Sequence, residues 1–447
     1  MAMPRGSDLL QATDTWNDLQ ARIGARQATV CVVGLGYVGL PLAVAFARHG
    51  FSVLGFEVSA QRVAQLMGGN SYILDVPATL LGALVRDGQF RATTEAAELR
   101  AADVIIICVP TPCQRGREPD LSYIQSAAET IARVLRPGQL VILESTTYPG
   151  TTEELLLPIL EGSGLLPYEQ FQVAFSPERI DPGNPTYQVE NTPKVVGGLG
   201  PTAGDLACAL YGAIIEKVLR VRSPREAEMT KLIENTFRHV NIALANELAL
   251  ISRKMGIDVW EAIEAASSKP FGFMPFYPGP GVGGHCIPID PHYLSWKARE
   301  MGIEASFIAL AERINHNMPE YVTRLTIDAV NQAGKSIRGA RVLLLGLAYK
   351  RDIDDLRESP ALAIFDLLVH HGATLSYHDP YVPSYDYAGA TLHSVPLTAE
   401  TLAAIDCVVL VTDHSSIDRE LLVAHAPLIV DTRNYLKGCA GEHIVRL

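Results

Sequence analysis

The amino-acid sequence predicts an α/β protein with two doubly wound domains joined by a central helical region that contains one long helix. Short apolar runs alternate with helical patterns over residues 28–205 and again over 336–447. Between them, no glycine or proline follows Pro224 until residue 256, which predicts one helix over 224–255. We therefore expect an N-terminal extension (1–27), a first domain (28–205), a central region (206–335) and a last domain (336–447).

The composition argues against several classes of function. A net charge of −12 is not typical of a nucleic-acid-binding surface. No window reaches the roughly 18 uncharged apolar residues of a membrane span, and Asp8, Asp14 and Asp18 argue against a signal peptide. The seven cysteines lack C-x-x-C spacing, which favours reduced thiols, and no metal site is predicted. We expect a cytoplasmic protein.

The first predicted strand leads into a glycine-rich turn. Residues 28–33 are a continuous apolar run, as in a buried parallel strand. Gly34, Gly36 and Gly39 follow in G-x-G-x-x-G spacing, and Glu57 ends the next strand about twenty residues later. This is the dinucleotide fingerprint of a Rossmann-like domain. The first glycine permits the turn, the second lets backbone approach a pyrophosphate, and the third allows close helix–strand packing.

The residues around this turn indicate which dinucleotide binds. Tyr37 and Val38 belong to the same turn, and the helix that follows presents its positive end to the phosphates. Glu57 can accept hydrogen bonds from ribose hydroxyls and would repel a 2′-phosphate, so we predict NAD. Arg62, on the next helix, either reaches the cofactor or is a solvated surface charge.

Polar residues follow three further strands of the first domain. These strands are predicted over residues 102–109, 140–144 and 171–175. Ligands of a doubly wound sheet lie at the carboxyl ends of its strands, where Thr111, Thr146 and Glu178 stand. In the competing interpretation, the two threonines only stabilise turns through local hydrogen bonds. Glu178 would then form a surface ion pair with Arg179.

The long helix carries two candidate functional residues. Ser223, Pro224 and Glu226 form a strong N-terminal signal. Lys231 and Asn235 are four residues apart and therefore share one face. Lys231 is alternatively an exposed helix charge. A helix of this length is suited to connect two domains and to form a dimer interface.

Three shorter helices are predicted after the long one, over residues 258–266, 290–300 and 304–332. Pro319 is expected to interrupt the last of them near Asn317, because proline lacks a backbone N–H and clashes with the preceding turn.

The loop FYPGPGVGGHCIPIDP, residues 276–291, contains the strongest candidate nucleophile. Its glycine and proline content excludes a helix or a central strand and favours close approach of backbone to a ligand. Cys286, flanked by His285 and Asp290, is more typical of a nucleophile than of a packing residue.

The last domain repeats the α/β alternation without the glycine fingerprint. A strand over 341–350 is followed by a helix capped at Ser359, and further strands are predicted over 374–380, 407–414 and 428–434. A second NAD site is not predicted. Lys350, Arg357 and Arg433 lie at strand or loop ends and suit anionic phosphates, although each alone is typical of a surface charge.

Four segments resemble one known family. GLGYVGLPLA, SPER, GPGVGGHC and GLAYKRDIDDLRESPA occur in the order found in nucleotide-sugar 6-dehydrogenases, the UDP-glucose/GDP-mannose dehydrogenase family. The segment GGHCIPIDPHYLSWKARE looks most like the branch that oxidises UDP-N-acetylglucosamine. Relatives acting on UDP-N-acetylmannosamine share its GGHC core. UDP-N-acetylgalactosamine and UDP-glucose are further candidate substrates, and a non-catalytic nucleotide-sugar-binding protein is the alternative from another functional class.

The resemblance implies a homodimer that uses NAD twice to oxidise the C6 hydroxyl of a UDP-sugar to a carboxylate, in polysaccharide or O-antigen precursor synthesis. Cys286 matches the nucleophile that forms a thiohemiacetal and then a thioester. Lys231 and Asn235 match the pair that stabilises the oxyanion, and Asp290 matches a carboxylate grouped with that lysine. Glu178 is the candidate base for the catalytic water.

The resemblance also implies binding roles. Thr146 matches a residue that holds the catalytic water, and it borders the cofactor together with Thr111. Glu178, Lys231 and Asn235 would also contact the substrate. The remaining matches are Tyr277, Gly279 and Gly283 in the substrate loop, Lys350 and Arg433 in the last domain, and Arg357, which reaches the cofactor.

Two departures from the UDP-glucose enzymes predict different contacts with the sugar ring. Those enzymes carry a second acid where this chain has Pro182, and an arginine before the glycine loop, where residues 269–271 supply none. His285 stands where they usually have serine. Arg179 and His285 are therefore our candidates for reading a 2-acetamido group.

Overall fold

The computed structural model describes residues 6–73, 75–113, 118–181, 184 and 186–447, with backbone alone for 6–13. Pro182, the predicted site of a sugar-ring difference, lies outside the described residues. The chain divides into two compact units, Met1–Glu234 and Asn235–Leu447.

The first unit contains an eight-stranded sheet. Its strands are β1 (Thr29–Val33), β2 (Ser52–Phe56), β3 (Phe90–Thr93), β4 (Val104–Ile107), β5 (Gln139–Leu143), β6 (Phe171–Phe175), β7 (Lys194–Gly198) and β8 (Val218–Val221). Their order is β3-β2-β1-β4-β5-β6-β7-β8. Neighbouring strands are parallel except β6 and β7. The order in which the strands are added reverses between β1 and β4, and ligands of doubly wound folds bind at such a switch point.

Helices cover both faces of this sheet. They are α1 (Gly6–Gly24), α2 (Gly39–Arg48), α3 (Ala60–Met67), α4 (Ala78–Arg86), α5 (Ser122–Ala132), α6 (Leu157–Glu161) and α7 (Pro201–Gly212), with a 3₁₀ segment (Ala96–Ala101) and a π segment (Thr152–Leu156). Val30 and Val32 of β1 join one buried cluster, whereas Cys31 and Val33 join another. Alternate side chains thus enter two cores, which explains the continuous apolar run.

The N-terminal extension contributes to the first core. Trp16, Leu19 and Ile23 of α1 are buried in the same cluster as Val30. Arg22 of α1 forms an ion pair with the buried carboxylate of Asp103. Removal of α1 would therefore expose apolar surface of the first unit.

The long helix α8 (Pro224–Met255) has the predicted bounds. The second unit then contains α9 (Val259–Ser267), α10 (Asp290–Glu300), α11 (Ser306–Gln332), α12 (Pro360–His370), α13 (Ala399–Ala403) and α14 (Arg419–His425). Among the described residues, no helix is long and apolar enough to cross a membrane.

The second sheet is entirely parallel. Its strands are β9 (Arg341–Leu345), β10 (Thr374–His378), β13 (Cys407–Leu410), β14 (Ile429–Asp431) and β15 (Ile444–Arg446), in the order β10-β9-β13-β14-β15. An antiparallel hairpin, β11 (Ser384–Tyr387) and β12 (Ala390–His393), is separate from it. Val342 and Leu344 of β9 face one core and Leu343 and Leu345 the other, so this sheet too is covered on both faces. The predicted α/β class, with two doubly wound sheets, is confirmed.

The predicted break at Pro319 is wrong, because α11 continues through that residue. Met318, Pro319 and Val322 are all buried in this helix. A proline inside a helix costs about 3 kcal/mol. Burial of the surrounding turns offsets this local cost, and the helix stays continuous.

Candidate active site

The glycine turn after β1 has the geometry of a nucleotide-binding loop. Gly34 has φ +89°, and a Cβ there would lie 2.7 Å from the carbonyl oxygen of Cys108. A Cβ on Gly39 would lie 1.9 Å from the carbonyl oxygen of Gly34. At Gly36, by contrast, a Cβ would have no heavy atom within 4 Å. Two glycines are thus required by packing, and the middle one borders open space.

A cleft of about 340 Å³ adjoins this turn. Its lining residues are Gly36, Tyr37, Ser59, Gln61, Arg62, Gln65, Tyr72 and Ile73. Val38, half-buried, immediately precedes α2. A cleft that begins at an open glycine beside the N-terminus of a helix suits the phosphates and ribose of a dinucleotide.

Glu57 is positioned at the carboxyl end of β2, as predicted from its spacing. Its carboxylate accepts hydrogen bonds from the backbone N–H groups of Leu35 (3.3 Å) and Ser59 (3.1 Å). Arg62 Nη1 lies 3.8 Å from Glu57 Oε2, and its guanidinium is 5.3 Å from the ring centre of Tyr72. Arg62 therefore borders the cleft and is not an isolated charge on a solvated helix face.

The polar residues at the strand ends of the first unit differ in burial. Thr111, after β4, is buried, and Thr146, after β5, is half-buried. Glu178, after β6, is 6% exposed, so the interpretation as a surface ion pair with Arg179 is wrong. The Arg179 guanidinium instead donates to Glu234 (2.6 Å) and to the carbonyl oxygen of Pro193 (2.6 Å).

Lys231 is brought beside Glu178. Its side chain is buried, and Nζ donates to the backbone carbonyl oxygen of Glu178 at 2.5 Å. The interpretation as an exposed helix charge is therefore wrong. Asn235 follows one turn later on α8.

A buried ionic network surrounds Glu178, and of its members the sequence pattern indicates only Glu178. Lys194, the first residue of β7, contacts the carboxylate of Glu144, and its Nζ lies 3.5 Å from Glu178 Oε2. The Tyr211 hydroxyl donates to Glu144 Oε2 at 2.6 Å. The available sequence signal is two charged residues, Glu144 and Lys194, adjoining apolar strands whose other residues are buried.

Glu228, which the sequence pattern does not indicate either, fixes the loop that carries Thr146. Its carboxylate accepts from Gly150 N (2.5 Å), Thr152 N (2.9 Å) and Thr152 Oγ1 (2.7 Å). Burial raises the pKa of Glu228 to about 7, against the opposing effect of these donors. The loop after β5 is thereby attached to α8 one turn before Lys231.

This raised pKa predicts a pH-dependent stability. A folded-state pKa above the ordinary value near 4.5 means that the contribution of Glu228 to the unfolding free energy is complete below about pH 4.5. It is lost as the pH rises through about 7. Glu228→Gln cannot titrate, so the stability difference between wild type and variant should shrink by about 1–3 kcal/mol between pH 5 and pH 8. Urea unfolding at both pH values measures it. A difference independent of pH would mean that the donors keep Glu228 ionised throughout.

In the second unit, the loop of Cys286 leads directly into α10. The carbonyl oxygen of Cys286 accepts from Asp290 N (2.8 Å) and Ile289 N (3.1 Å). Asp290, buried at the start of α10, accepts from Asn235 Nδ2 at 2.5 Å. Cys286 is half-buried, and like the other six cysteines it forms no disulfide. The structure thus brings together three predicted catalytic residues.

Two buried asparagines that no sequence motif marks hold the glycine loop. Asn246 of α8 accepts from Gly279 N (2.9 Å) and donates to Asn315 of α11 (2.9 Å). A Cβ on Gly279 would lie 2.7 Å from Arg433 Nη1. Arg433 also donates from Nε to the carbonyl oxygen of Val411, and burial lowers its pKa. Gly279 and Arg433 are therefore neighbours, as expected of two substrate-binding residues.

The next glycines of this loop pack on the segment after β9. A Cβ on Gly283 would lie 2.7 Å from Tyr349 Cβ, and Gly284 N donates to the carbonyl oxygen of Arg357 (2.9 Å). Lys350, next to Tyr349, is half-buried. The Arg357 guanidinium lies against Asp355, with Nη2 to Oδ2 at 2.5 Å. Arg357 thus holds the loop through its backbone, whereas its proposed reach to the cofactor stays a prediction.

Aromatic and imidazole side chains complete the loop. The ring of Tyr277, 45% exposed, stacks on Trp260 with centres 5.7 Å apart. His285, next to Cys286, is half-buried. An exposed face of a supported ring is suited to stacking a base or sugar.

Three family models match the chain, all from the UDP-glucose/GDP-mannose dehydrogenase family. The NAD binding domain matches residues 28–215, the central domain 225–317 and the UDP binding domain 343–438. The matches lie in the family's order and include most strands of both sheets, nearly all of α8 and the cysteine loop.

Individual relatives are similar over nearly the full length. The chain is 40% identical to a UDP-N-acetyl-D-glucosamine 6-dehydrogenase of Pseudomonas aeruginosa over 86% of this chain and 90% of that protein. It is 37% identical to a UDP-N-acetyl-D-mannosamine dehydrogenase of Pyrococcus horikoshii over 91% of this chain and 96% of that protein. A solved structure of a UDP-D-ManNAc dehydrogenase from Pyrococcus horikoshii superposes with a TM-score of 0.85 at 35% sequence identity. The superposition covers 94% of this chain and 98% of that chain.

Proposed function

Because the chain belongs to the UDP-glucose/GDP-mannose dehydrogenase family, we propose that it oxidises the C6 hydroxyl of a UDP-N-acetylhexosamine, UDP-N-acetylglucosamine in the first place, to a carboxylate. It is an NAD-dependent nucleotide-sugar dehydrogenase with a UDP binding domain.

The proposed reaction is a four-electron oxidation. NAD, when bound, accepts a hydride in each of two successive oxidations. The Cys286 thiolate attacks the C6 aldehyde, and a thioester remains after the second oxidation. Water then adds to the thioester carbonyl, the C–S bond breaks, and the acid leaves. One alcohol, two NAD⁺ and one water give one carboxylate, two NADH and three protons.

Each polar residue has a defined task in this scheme. Lys231, by its charge, and Asn235, by donating a hydrogen bond, stabilise the oxyanion on C6. Glu178 takes a proton from the attacking water, and Thr146 helps to hold that water. The phosphates of the UDP-sugar are ligands for Lys350 and Arg433.

One observation supports the proposal above the others, namely the contacts that link Asn235, Asp290 and Cys286. Asn235 donates to Asp290, whose own N–H donates to the carbonyl oxygen of Cys286. A buried aspartate that fixes both a helix start and the cysteine loop defines the position of the nucleophile. A packing cysteine would need no such support.

The choice of sugar has one serious competitor. UDP-N-acetyl-D-mannosamine is named for a relative of 37% identity and for a solved structure of similar fold. UDP-N-acetylglucosamine is named for a relative of 40% identity. His285 and Arg179 are proposed to distinguish the 2-acetamido group, and Arg179 would then have to leave its partner Glu234.

The test is NADH production by the purified protein on a panel of UDP-N-acetylglucosamine, UDP-N-acetylmannosamine, UDP-N-acetylgalactosamine and UDP-glucose. We expect the highest kcat/KM with UDP-N-acetylglucosamine. A higher kcat/KM with UDP-N-acetylmannosamine would identify that sugar as the substrate instead. No NADH with any of the four sugars would refute the proposed function.

Gly36 offers a direct test of the cofactor loop. A Cβ at Gly36 meets no protein atom within 4 Å, so Gly36→Ala should fold normally. It would project into the space beside the pyrophosphate, and we expect the NAD dissociation constant to rise about tenfold or more. Calorimetric titration with NAD measures this. Gly212→Ala, also in open space, is the matched control and should bind as wild type does. Unchanged affinity in Gly36→Ala would place the pyrophosphate elsewhere.

The long helix suggests that the protein is a homodimer. Phe237, Leu244, Leu248, Ile251 and Met255 of α8 are 42–66% exposed. Exposed apolar side chains spaced three, four or seven residues apart form one helix face, which a second copy would cover. The proposed setting is polysaccharide precursor synthesis in the cytoplasm.

A further inference from the structure

The buried network around Glu178 contains a cation that the proposed scheme has not used. Lys194 contacts the Glu144 carboxylate and lies 3.5 Å from Glu178 Oε2. The three side chains are 0–8% exposed. Such a buried cation between two carboxylates is costly to desolvate and is retained only where the charges compensate one another.

The topology explains why Lys194 reaches this place. β7 is antiparallel to β6, with Phe175 opposite Gly197. The first residue of β7 therefore lies at the edge where β5 and β6 end. Glu144 follows β5 and Glu178 follows the end of β6. Because β7 runs in the opposite direction, its first residue, Lys194, lies beside both carboxylates.

The other groups around Glu178 leave Lys194 as the main source of positive charge on its carboxylate. Ile180 N donates to Oε1, and Lys231 donates to the backbone carbonyl oxygen of Glu178. The charge of Lys231 also lowers the pKa of the Glu178 carboxyl group, but by less than the charge of Lys194 does. Around Glu144 are the Tyr211 hydroxyl, which donates to it, and the buried thiol of Cys108, whose pKa burial raises well above its ordinary value.

The protonation of the two carboxyl groups follows from this arrangement. Burial raises the pKa of Glu144 to about 7 even though Lys194 opposes the shift. Burial acts in the same direction on Glu178, but four opposing effects together outweigh it, and the pKa of Glu178 falls below its ordinary value. The charge of Lys194 is the largest of the four, followed by the hydrogen bond with Glu144, the charge of Lys231 and the backbone N–H of Ile180. The shared proton therefore resides on Glu144, and Glu178 remains ionised.

We propose that Lys194 is a positioning residue for the hydrolytic step: it holds Glu178 in the ionised form in which that carboxylate takes a proton from water. This inference rests on the proposed function, in which Glu178 is the base. As the new C–O bond forms, one water proton moves to Glu178. The C–S bond then breaks, the sulfur leaves as the Cys286 thiolate, and Glu178 returns its proton to solvent.

The test compares pH profiles of kcat for carboxylate formation in Lys194→Met and Lys194→Arg. Without the cation, two buried carboxylates share one proton, so the acid limb in Lys194→Met should move upward by about one pH unit or more. On the acid side of the shifted limb, activity should fall about tenfold for each pH unit of the shift, and it should recover as the pH rises. In Lys194→Arg, the acid limb of the pH profile should lie at the same pH as in wild type. Lys217→Met is the matched control, because Lys217 is exposed and its carbonyl oxygen accepts from Lys194 N.

A purely structural role would lower stability or raise KM without moving the acid limb, and that outcome would overturn the inference. If Lys194→Met does not fold, the double variant Lys194→Met/Glu144→Met removes both members of the ion pair, an exchange that cores often tolerate. Burial without the nearby cation still raises the pKa of Glu178 in this double variant, so its acid limb should also move upward, and an unshifted acid limb would overturn the inference. A wild-type protein that oxidises no UDP-sugar would refute the proposed function and this inference together.

Discussion

Replacing Cys286 by alanine is expected to abolish release of the carboxylate while leaving NAD and UDP-sugar binding intact. Without the thiolate, no thiohemiacetal forms, and the second oxidation has no covalent intermediate to act on. Removal of a nucleophile typically lowers kcat by about 10³-fold or more. Carboxylate product, quantified by mass spectrometry after reaction with NAD, measures the loss. Calorimetric titration checks that both ligands still bind.

The matched control for this substitution is Cys208→Ser. Cys208 is also half-buried, but it lies on α7 in the first unit. That variant should retain wild-type turnover. Carboxylate formation by Cys286→Ala at a rate within tenfold of wild type would exclude a thioester on this residue, even though the family assignment would stand.

The second large effect is expected for Lys231→Met. Loss of a buried cation that stabilises an oxyanion lowers kcat by about 10²–10³-fold. The same substitution removes the hydrogen bond from Nζ to the carbonyl oxygen of Glu178. We therefore expect a loss mainly in kcat, with a smaller change in KM, measured by steady-state NADH formation.

Lys254→Met is the control for Lys231→Met, because Lys254 is exposed in the last turn of the same helix. It should leave kcat unchanged. If Lys231→Met raised KM alone and kept kcat, Lys231 would bind substrate without stabilising the transition state.

The elements that could be predicted from sequence are those with strong local signals. The turn at Gly34 and the bounds of α8 and α10 follow from glycine, proline and capping residues, which act over a few positions. Cys286 and Asp290 are recognisable because a loop rich in glycine and proline contains few chemically active side chains.

The elements that the sequence does not reveal depend on contacts distant in the chain. β8 has exposed and half-buried residues, so no apolar run marks it. The α11 helix continues through Pro319 because burial outweighs a local rule. Lys194 and Asn246 look like ordinary polar residues in the chain. Their importance comes from partners 50 and 69 residues away, Glu144 and Asn315.

This protein is expected to carry out both oxidations of one sugar before releasing it as an acid. The most direct measurement is the ratio of NADH formed to UDP-N-acetylglucosamine consumed, with mass spectrometry of the product. We predict two NADH per sugar and a UDP-N-acetylhexosaminuronic acid. One NADH per sugar, with an aldehyde as the product, would contradict the account.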